Sequence, residues 1–271
     1  PPPPLCQAED GIRDTSHCLV GSEMCIRDSS VRDDREHMAV RGVSFAVRSG
    51  EIVGIAGVQG NGQSELVEAL TGLRPPAAGT VHIGGADATD RSPRGVHDMG
   101  VAHVPEDRQH MGLIMGFPVY ENIVLDSYHS APYSGPVQMN WGEARRAAEE
   151  LVEQYDVRTP SIETTVGSLS GGNQQKVIVA REFARDTRLV IASQPTRGID
   201  VGSIEYIHRR IVEERDAGSA VLIVSSELEE VTALSDRIIV MHAGRIAGEF
   251  DAAIATTTEL GMAMLGSGSG A

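Results

Sequence analysis

Lysine is almost absent from this sequence: of its 23 basic residues only Lys176 is not arginine. Any chemistry that needs a lysine must be served from that one position or go without. Cysteine is confined as well, since Cys6, Cys18 and Cys25 all fall within the first thirty residues. A secreted disulfide framework would spread its cysteines through the fold, and the cysteine-free remainder suits a cytosolic protein. No apolar run approaches the ~18–20 residues that cross a bilayer as a helix, so any service to a membrane goes through a partner that spans it. Excess positive charge is also missing. With 38 acidic residues, a net charge of −15 and a pI near 5.0, the surface repels phosphate backbones and excludes sequence-independent nucleic-acid binding. A chain of 271 residues can bury a full core as one large domain or two small ones.

Residues 1–30 have no helical or strand periodicity and no charged-then-apolar order of a signal peptide. They resemble translated sequencing-adapter read-through, with an ordinary disordered linker as the alternative. Either way they are expected to be foreign or disordered, and whatever preceded the domain would then be missing. The native domain is expected over 31–265, with a flexible Gly/Ser tail over 266–271.

From residue 31 onward the pattern alternates strands and helices. Residues 38–54 read as strands around a turn at Ser49-Gly50, with a buried strand at 52–56, a glycine-rich turn and a helix over 64–70. Short strands are expected at 80–83 and 101–104. The stretch of about 111–185 changes character, with proline, glycine and tyrosine punctuation and then helices over 141–155 and 170–184. It is read as a helical subdomain. Strand 189–192, helix 203–216 and strand 220–224 have the βαβ rhythm of a mostly parallel sheet covered on both faces. The region 236–250 reads as two strands around Ala243-Gly244.

Three motifs carry chemistry. The first, Gly57-Val58-Gln59-Gly60-Asn61-Gly62-Gln63-Ser64, follows a strand and opens a helix. A phosphate-binding P-loop has this spacing, because glycines let backbone N–H groups converge on phosphate oxygens at a helix N-terminus. Its usual lysine is here Gln63. The second is Leu169-Ser170-Gly171-Gly172-Asn173-Gln174-Gln175-Lys176. The third is Leu189-Val190-Ile191-Ala192-Ser193-Gln194-Pro195-Thr196-Arg197-Gly198-Ile199-Asp200.

The second string resembles the signature motif of ABC transporter nucleotide-binding domains, LSGGQ, in the LSGGNQQK form of carbohydrate importers. The third resembles that family's apolar strand, Asp-Glu-Pro-Thr and Gly-Leu-Asp. Ser193 stands at the Mg2+-holding aspartate, however, and Gln194 at the general-base glutamate. Ser226 stands where hydrolytically competent members carry histidine. Val104-Pro105-Glu106-Asp107-Arg108 occupies the coupling (glutamine) loop, with Glu106 at the glutamine.

The resemblance covers about residues 31–264 and implies an α/β P-loop NTPase of the ABC type: a mostly parallel sheet flanked by helices, an antiparallel β subdomain and a helical subdomain. It implies ATP as ligand and Mg2+ chiefly at a partner's site. Gly57, Gly60, Asn61, Gly62, Gln63 and Ser64 would face the chain's own nucleotide. Leu169, Ser170, Gly171, Gly172, Asn173 and Gln174 would complete the other domain's site, while Gly198 and Asp200 form the turn that communicates between domains. The implied partners are an N-terminal ABC domain or second ABC subunit, transmembrane permease subunits and, indirectly, a solute-binding protein. The implied location is the cytoplasmic face of a bacterial membrane. The loss of both carboxylates and the Gln-Pro-Thr-Arg-Gly phrase point to the nucleoside and simple-sugar branch, in a second, catalytically degenerate cassette. A self-sufficient ATPase and a non-transport ABC protein are the competing readings.

Other residues read as structural. His103, His208 and His242 lack ligand spacing, so no metal site is expected from them. Glu149-Glu150 and Glu229-Glu230 read as solvated helix faces, and Phe117 and Tyr120 as packing of the helical subdomain.

Overall fold

The computed structural model describes residues 22–135 and 138–266. Its centre is a six-stranded sheet in the order β10-β9-β3-β8-β7-β6. Strands β3 (Ile52–Ala56), β7 (Leu189–Ser193) and β8 (Ala220–Ser225) are buried at every position. They pair in parallel with one another or with β6 (Val101–Val104) and β9 (Arg237–His242), and β10 (Arg245–Asp251) closes one edge antiparallel. Because side chains alternate across a strand, these apolar runs feed two cores. Val53, Ile55, Leu189, Ile191 and Leu222 face one, and Ile52, Val190, Ala192, Val221 and Ile223 face the other.

The first core is covered by helix α1 (Gln63–Leu70) and an antiparallel sheet of order β2-β1-β4-β5, formed by β1 (Ser22–Arg32), β2 (Met38–Arg48), β4 (Ala78–Ile83) and β5 (Ala86–Asp87). The short helix α2 (Pro93–His97) adds Val96 to the same core. The second core is covered by α3 (Val119–Ile123), α4 (Trp141–Gln154), α5 (Gly171–Phe183) and α6 (Val201–Asp216). Helices α7 (Leu228–Leu234) and α8 (Thr257–Met264) pack beside β9.

One expectation is corrected. Residues 22–30, read as foreign or disordered, belong to β1, which pairs with both β2 and β4. Met24, Ile26 and Val31 are fully buried there. The strand escapes a period-two reading because it bulges: Asp28 takes φ +47°, its N–H donates to Ser44 Oγ at 2.7 Å, and the register shifts on both sides. The expected segment over 1–21 and the expected tail over 267–271 lie outside the described residues.

His103 on β6 sets a pH limit. Its Nε2 is buried without a partner, and burial pushes the imidazole down to about 4 despite the nearby Glu182, while Arg181 pushes the same way. The native protein therefore holds His103 neutral, whereas the unfolded chain takes up the proton near 6.5. Stability from this group is complete above pH 6.5 and is lost as pH falls toward 4. Discounted for the ring's partial exposure, the loss is on the order of 2 kcal/mol. Urea midpoints of the wild type and His103→Leu should diverge across that window and run parallel above it; parallel curves throughout would refute the assignment.

Candidate functional site

Four loops meet at the carboxyl ends of β3, β8, β7 and β6, which are neighbours in the sheet. Open α/β sheets bind ligands at this edge. The first loop, residues 57–62, uses Gly60 at φ +89° and Gly62 at φ +96°, a region that side chains rarely tolerate. A Cβ on Gly62 would stand 2.4 Å from the Ala39 carbonyl oxygen, so only glycine lets the loop press against β2. Asn61 ties the loop to the β9–β10 turn: its Oδ1 accepts from Ala243 N–H at 2.9 Å and its carbonyl from Gly244 N–H at 3.2 Å.

Gln63 does not project as a cation would. Its Oε1 accepts from the Asn61 N–H at 3.1 Å and its Nε2 donates to the Val58 carbonyl at 3.2 Å. The neutral amide thus folds into the loop and consumes one backbone donor. The sole lysine is committed elsewhere. Lys176 Nζ donates to the Asp156 carbonyl and carboxylate at 2.8 and 2.6 Å and lies 4.4 Å from the Tyr206 ring centre.

The second loop leaves β6 at Pro105. Glu106 accepts from Ser64 Oγ at 3.2 Å and from Gln59 Nε2 at 3.4 Å, and pairs with Arg197 at 2.7 Å. Asp107 is structural. It caps the following turn by accepting from the Gln109 and His110 N–H groups, and those bonds with the His110 ring hold its carboxyl below the usual range. Arg108 reaches the other way, donating to the Arg197 carbonyl at 2.8 Å, the Gly198 carbonyl at 3.3 Å and Gln174 Oε1 at 3.4 Å. One short segment thereby touches the P-loop, the turn after β7 and helix α5.

The third and fourth loops hold the two carboxylate positions and the histidine position. Ser193 is buried at the end of β7, and Gln194 follows at φ +48°. Gln194 Nε2 donates to Ser226 Oγ at 3.3 Å, and Ser225 Oγ lies 3.5 Å from Gln194 Oε1. This is a neutral cluster with no group able to take a proton from water at neutral pH. Among the described residues no group of three or more His, Cys, Asp or Glu side chains is placed to hold a metal. Mg2+ needs only one or two carboxylates when phosphates supply further oxygens, and Ser64 with Glu106 form such an oxygen pair.

Glu230 corrects a reading. Expected on a solvated face, it is 5% exposed and accepts from Thr196 Oγ1 at 2.6 Å, with His208 Nε2 at 3.0 Å. Burial pushes its pKa up, but the hydrogen bonds from His208, Thr196 and Ser225 outweigh this and hold it low. On helix α7 Glu230 and Val231 both turn inward. Glu149 and Glu150 are exposed as expected, and Tyr120 is buried, but Phe117 stays 41% exposed. His242 is also structural, its Nδ1 lying 3.0 Å from the Met264 carbonyl.

Ser170 caps α5. Its exposed Oγ accepts from the Asn173 N–H at 3.4 Å and from Asn173 Nδ2 at 2.9 Å, while Asn173 Oδ1 accepts from Arg158 N–H at 2.8 Å. Gln174 is buried and donates to the Leu169 and Val166 carbonyls, and Leu169 packs against the helical core. A Cβ on Gly172 would lie 2.0 Å from Ser203 Oγ and 2.8 Å from Asp200 Oδ2. Asp200 caps α6 by accepting from Ser203 N–H and Oγ at 3.0 and 2.8 Å, bonds that keep its carboxyl low. The starts of α5 and α6 therefore form one rigid unit. No hydrogen bond among the described residues joins 57–64 to 169–174 directly; residues 106–109 bridge them, through Glu106 on the P-loop side and Arg108 and Gln109 on Gln174.

Sequence reasoning missed Arg197 and Gln59 as partners of Glu106. Arg197 was legible as a charge inside the third motif, but its target lies on another loop.

Comparison with known proteins agrees with this arrangement. A model of the ABC transporter family matches residues 40–197. The guanosine import ATP-binding protein NupO of Bacillus subtilis (strain 168) is 49% identical over 248 residues, covering 91% of this chain and 49% of that protein. The nucleoside import ATP-binding protein NupA of Lactococcus lactis subsp. cremoris (strain MG1363) is 46% identical over 241 residues, covering 89% and 48%. The chain spans about half the length of these curated relatives. The dimeric structure of a bacterial ABC transporter cassette, MJ0796, shares the fold, with a TM-score of 0.72 at 23% identity, covering 84% of this chain and 98% of that one. The sheet with its strand-end loops, the family match and the two relatives together place the chain in the ABC transporter ATP-binding family, with the P-loop NTPase cassette fold.

Proposed function

We propose that this chain is the degenerate ATP-binding cassette of an importer for nucleosides or simple sugars, and that it works chiefly by lending its signature helix to another cassette's ATP. One contrast carries the reading. The chain's own strand-end loops present neutral Gln63, Ser193, Gln194 and Ser226, whereas Ser170 stands exposed at a helix N-terminus braced by Gly172 against Asp200 and Ser203. A helix start offers unpaired N–H groups and partial positive charge to an anion, so Ser170, Gly171, Gly172 and Asn173 suit a γ-phosphate held by a second P-loop. In the chain's own site, each missing charge-assisted hydrogen bond costs on the order of 1.5–3 kcal/mol, and the missing base a further 10²–10⁴-fold in rate by order of magnitude. Phosphoryl transfer depends almost wholly on such positioning and charge stabilisation.

The second cassette is an N-terminal domain of the same polypeptide or a separate subunit, and transmembrane permease subunits with an associated solute-binding protein complete the importer. No helix among the described residues is long and apolar enough to cross a membrane, in keeping with attachment to a permease at the cytoplasmic face. Mg2+-dependent phosphate release by the 271-residue chain alone should stay at background and appear when an intact partner cassette is added. Brisk turnover by the chain alone would favour a self-sufficient ATPase and overturn the reading.

A further inference from the structure

We infer that Asn173 is a positioning residue, whose side chain turns the Ser170 hydroxyl proton outward as a ready donor for the phosphate that a second cassette brings to α5. This rests on the proposed role of α5 in trans, and it gives the Asn173 side chain a task other than touching that nucleotide. A backbone N–H can only donate, so the Arg158 N–H, 2.8 Å away, fixes which end of the Asn173 amide is oxygen. The amide nitrogen then faces Ser170 Oγ at 2.9 Å. That nitrogen donates and does not accept, so the serine oxygen must accept. It accepts a second time from the Asn173 backbone N–H at 3.4 Å. A hydroxyl oxygen has two lone pairs, and both are now taken. The proton is left the one remaining direction, away from Asn173, and no hydrogen bond among the described residues uses it.

The orienting amide is itself held. Tyr155 and Val157 are buried in the second core, which fixes the backbone that carries the Arg158 N–H. Lys176, on the same face of α5 as Asn173, donates to the Asp156 carbonyl and carboxylate at 2.8 and 2.6 Å. The segment 155–158 is thus clamped to α5 through both side chains. An exposed serine hydroxyl without such a neighbour turns among staggered wells and meets water in each. Catalysis gains most from donors that need no reorganisation as charge develops, and Asn173 removes that reorganisation from Ser170.

The test is steady-state ATP turnover by the full 271-residue chain paired with an intact partner cassette. Asn173→Ala should lower kcat by about three- to tenfold, the effect of freeing one rotor among three wells and losing one polarising bond. KM for ATP should stay unchanged, the mark of an interaction made in the transition state. The melting temperature should hold, because alanine is the best helix former and the exposed Arg158 N–H turns to water. Asn173→Asp keeps the acceptor for Arg158 but offers Ser170 a second oxygen that draws the proton inward. There kcat should fall by about 10²-fold, as for one lost oxyanion donor. In a Ser170→Ala chain, Asn173→Ala should cost nothing more, and whatever Asn173→Asp still costs reads out its charge alone. In the isolated 15N-labelled chain, Ser170→Ala should shift the Asn173 side-chain NH2 resonances, and Asn173→Ala the Arg158 amide. Side-chain resonances that ignore Ser170→Ala, an unchanged kcat in Asn173→Ala, or an equal loss from Asn173→Ala with and without the Ser170 hydroxyl overturns the inference. Failure of the proposed function looks different: turnover then ignores Ser170→Ala itself, while the resonance shifts remain.

Discussion

Ser170→Asp in a complex with an intact partner cassette is expected to lower kcat for ATP by about 10²–10³, the usual effect of losing one oxyanion donor, with no loss of fold. The substitution separates two roles of one residue. As an N-cap, aspartate serves as well as serine, and the Asn173 N–H that Ser170 Oγ now receives keeps an acceptor. A carboxylate at a helix N-terminus is stabilising by itself, so the melting temperature should hold or rise. As a signature residue the same carboxylate replaces a hydroxyl donor by a negative charge facing the partner's γ-phosphate. Ser170→Ala gives the opposite profile. It loses the cap, about 1 kcal/mol, which is a few degrees in Tm for a domain of this size, and loses activity less steeply. Full ATP turnover by the Ser170→Asp complex would show that α5 does not meet a nucleotide.

The parallel sheet was legible because its strands are buried on both faces and therefore read as unbroken apolar runs, as in 52–56 and 189–192. The longer helices were legible from their period, and the structure adds that Asn140, Ser170 and Asp200 each supply a side-chain acceptor at the start. The five- to eight-residue helices α2, α3, α7 and α8 offer too few turns for a period, and β1 is broken by its bulge. The candidate site divides in the same way. Its motifs are contiguous strings whose spacing states where phosphate and metal groups belong, so Gln63, Ser193 and Gln194 announce themselves as departures. Glu106 with Ser64 and Arg197, and Glu230 with Thr196 and His208, join positions 22–91 residues apart in the chain. Only the sheet order brings them together, and a lone Glu in a sequence looks the same on a solvated face as in a buried bond.

Gln63→Lys, Ser193→Asp and Gln194→Glu made together are expected to raise hydrolysis in the chain's own site by about 10²–10⁴-fold, the range for regaining a general base, and to move the paired complex toward two ATP per cycle. Gln194→Glu is the substitution the structure receives most readily, since Ser225 and Ser226 hydroxyls already lie 3.5 and 3.4 Å from the Oε1 they would donate to. Ser193→Asp is the most demanding. The position is 4% exposed, and a carboxylate buried without a cation is costly, so this variant alone should melt lower in EDTA and recover when Mg2+ and ATP are added. Gln63→Lys returns the cation and releases the Asn61 N–H that Gln63 now occupies. Because such groups act as a unit, single restorations should fall far short of the triple. Ser226→His, added last, should raise the rate again by placing a titratable ring beside residue 194. A stoichiometry already at two ATP per cycle in the unmodified pair would mean that the neutral cluster is no barrier and that the asymmetry between the two sites does not exist.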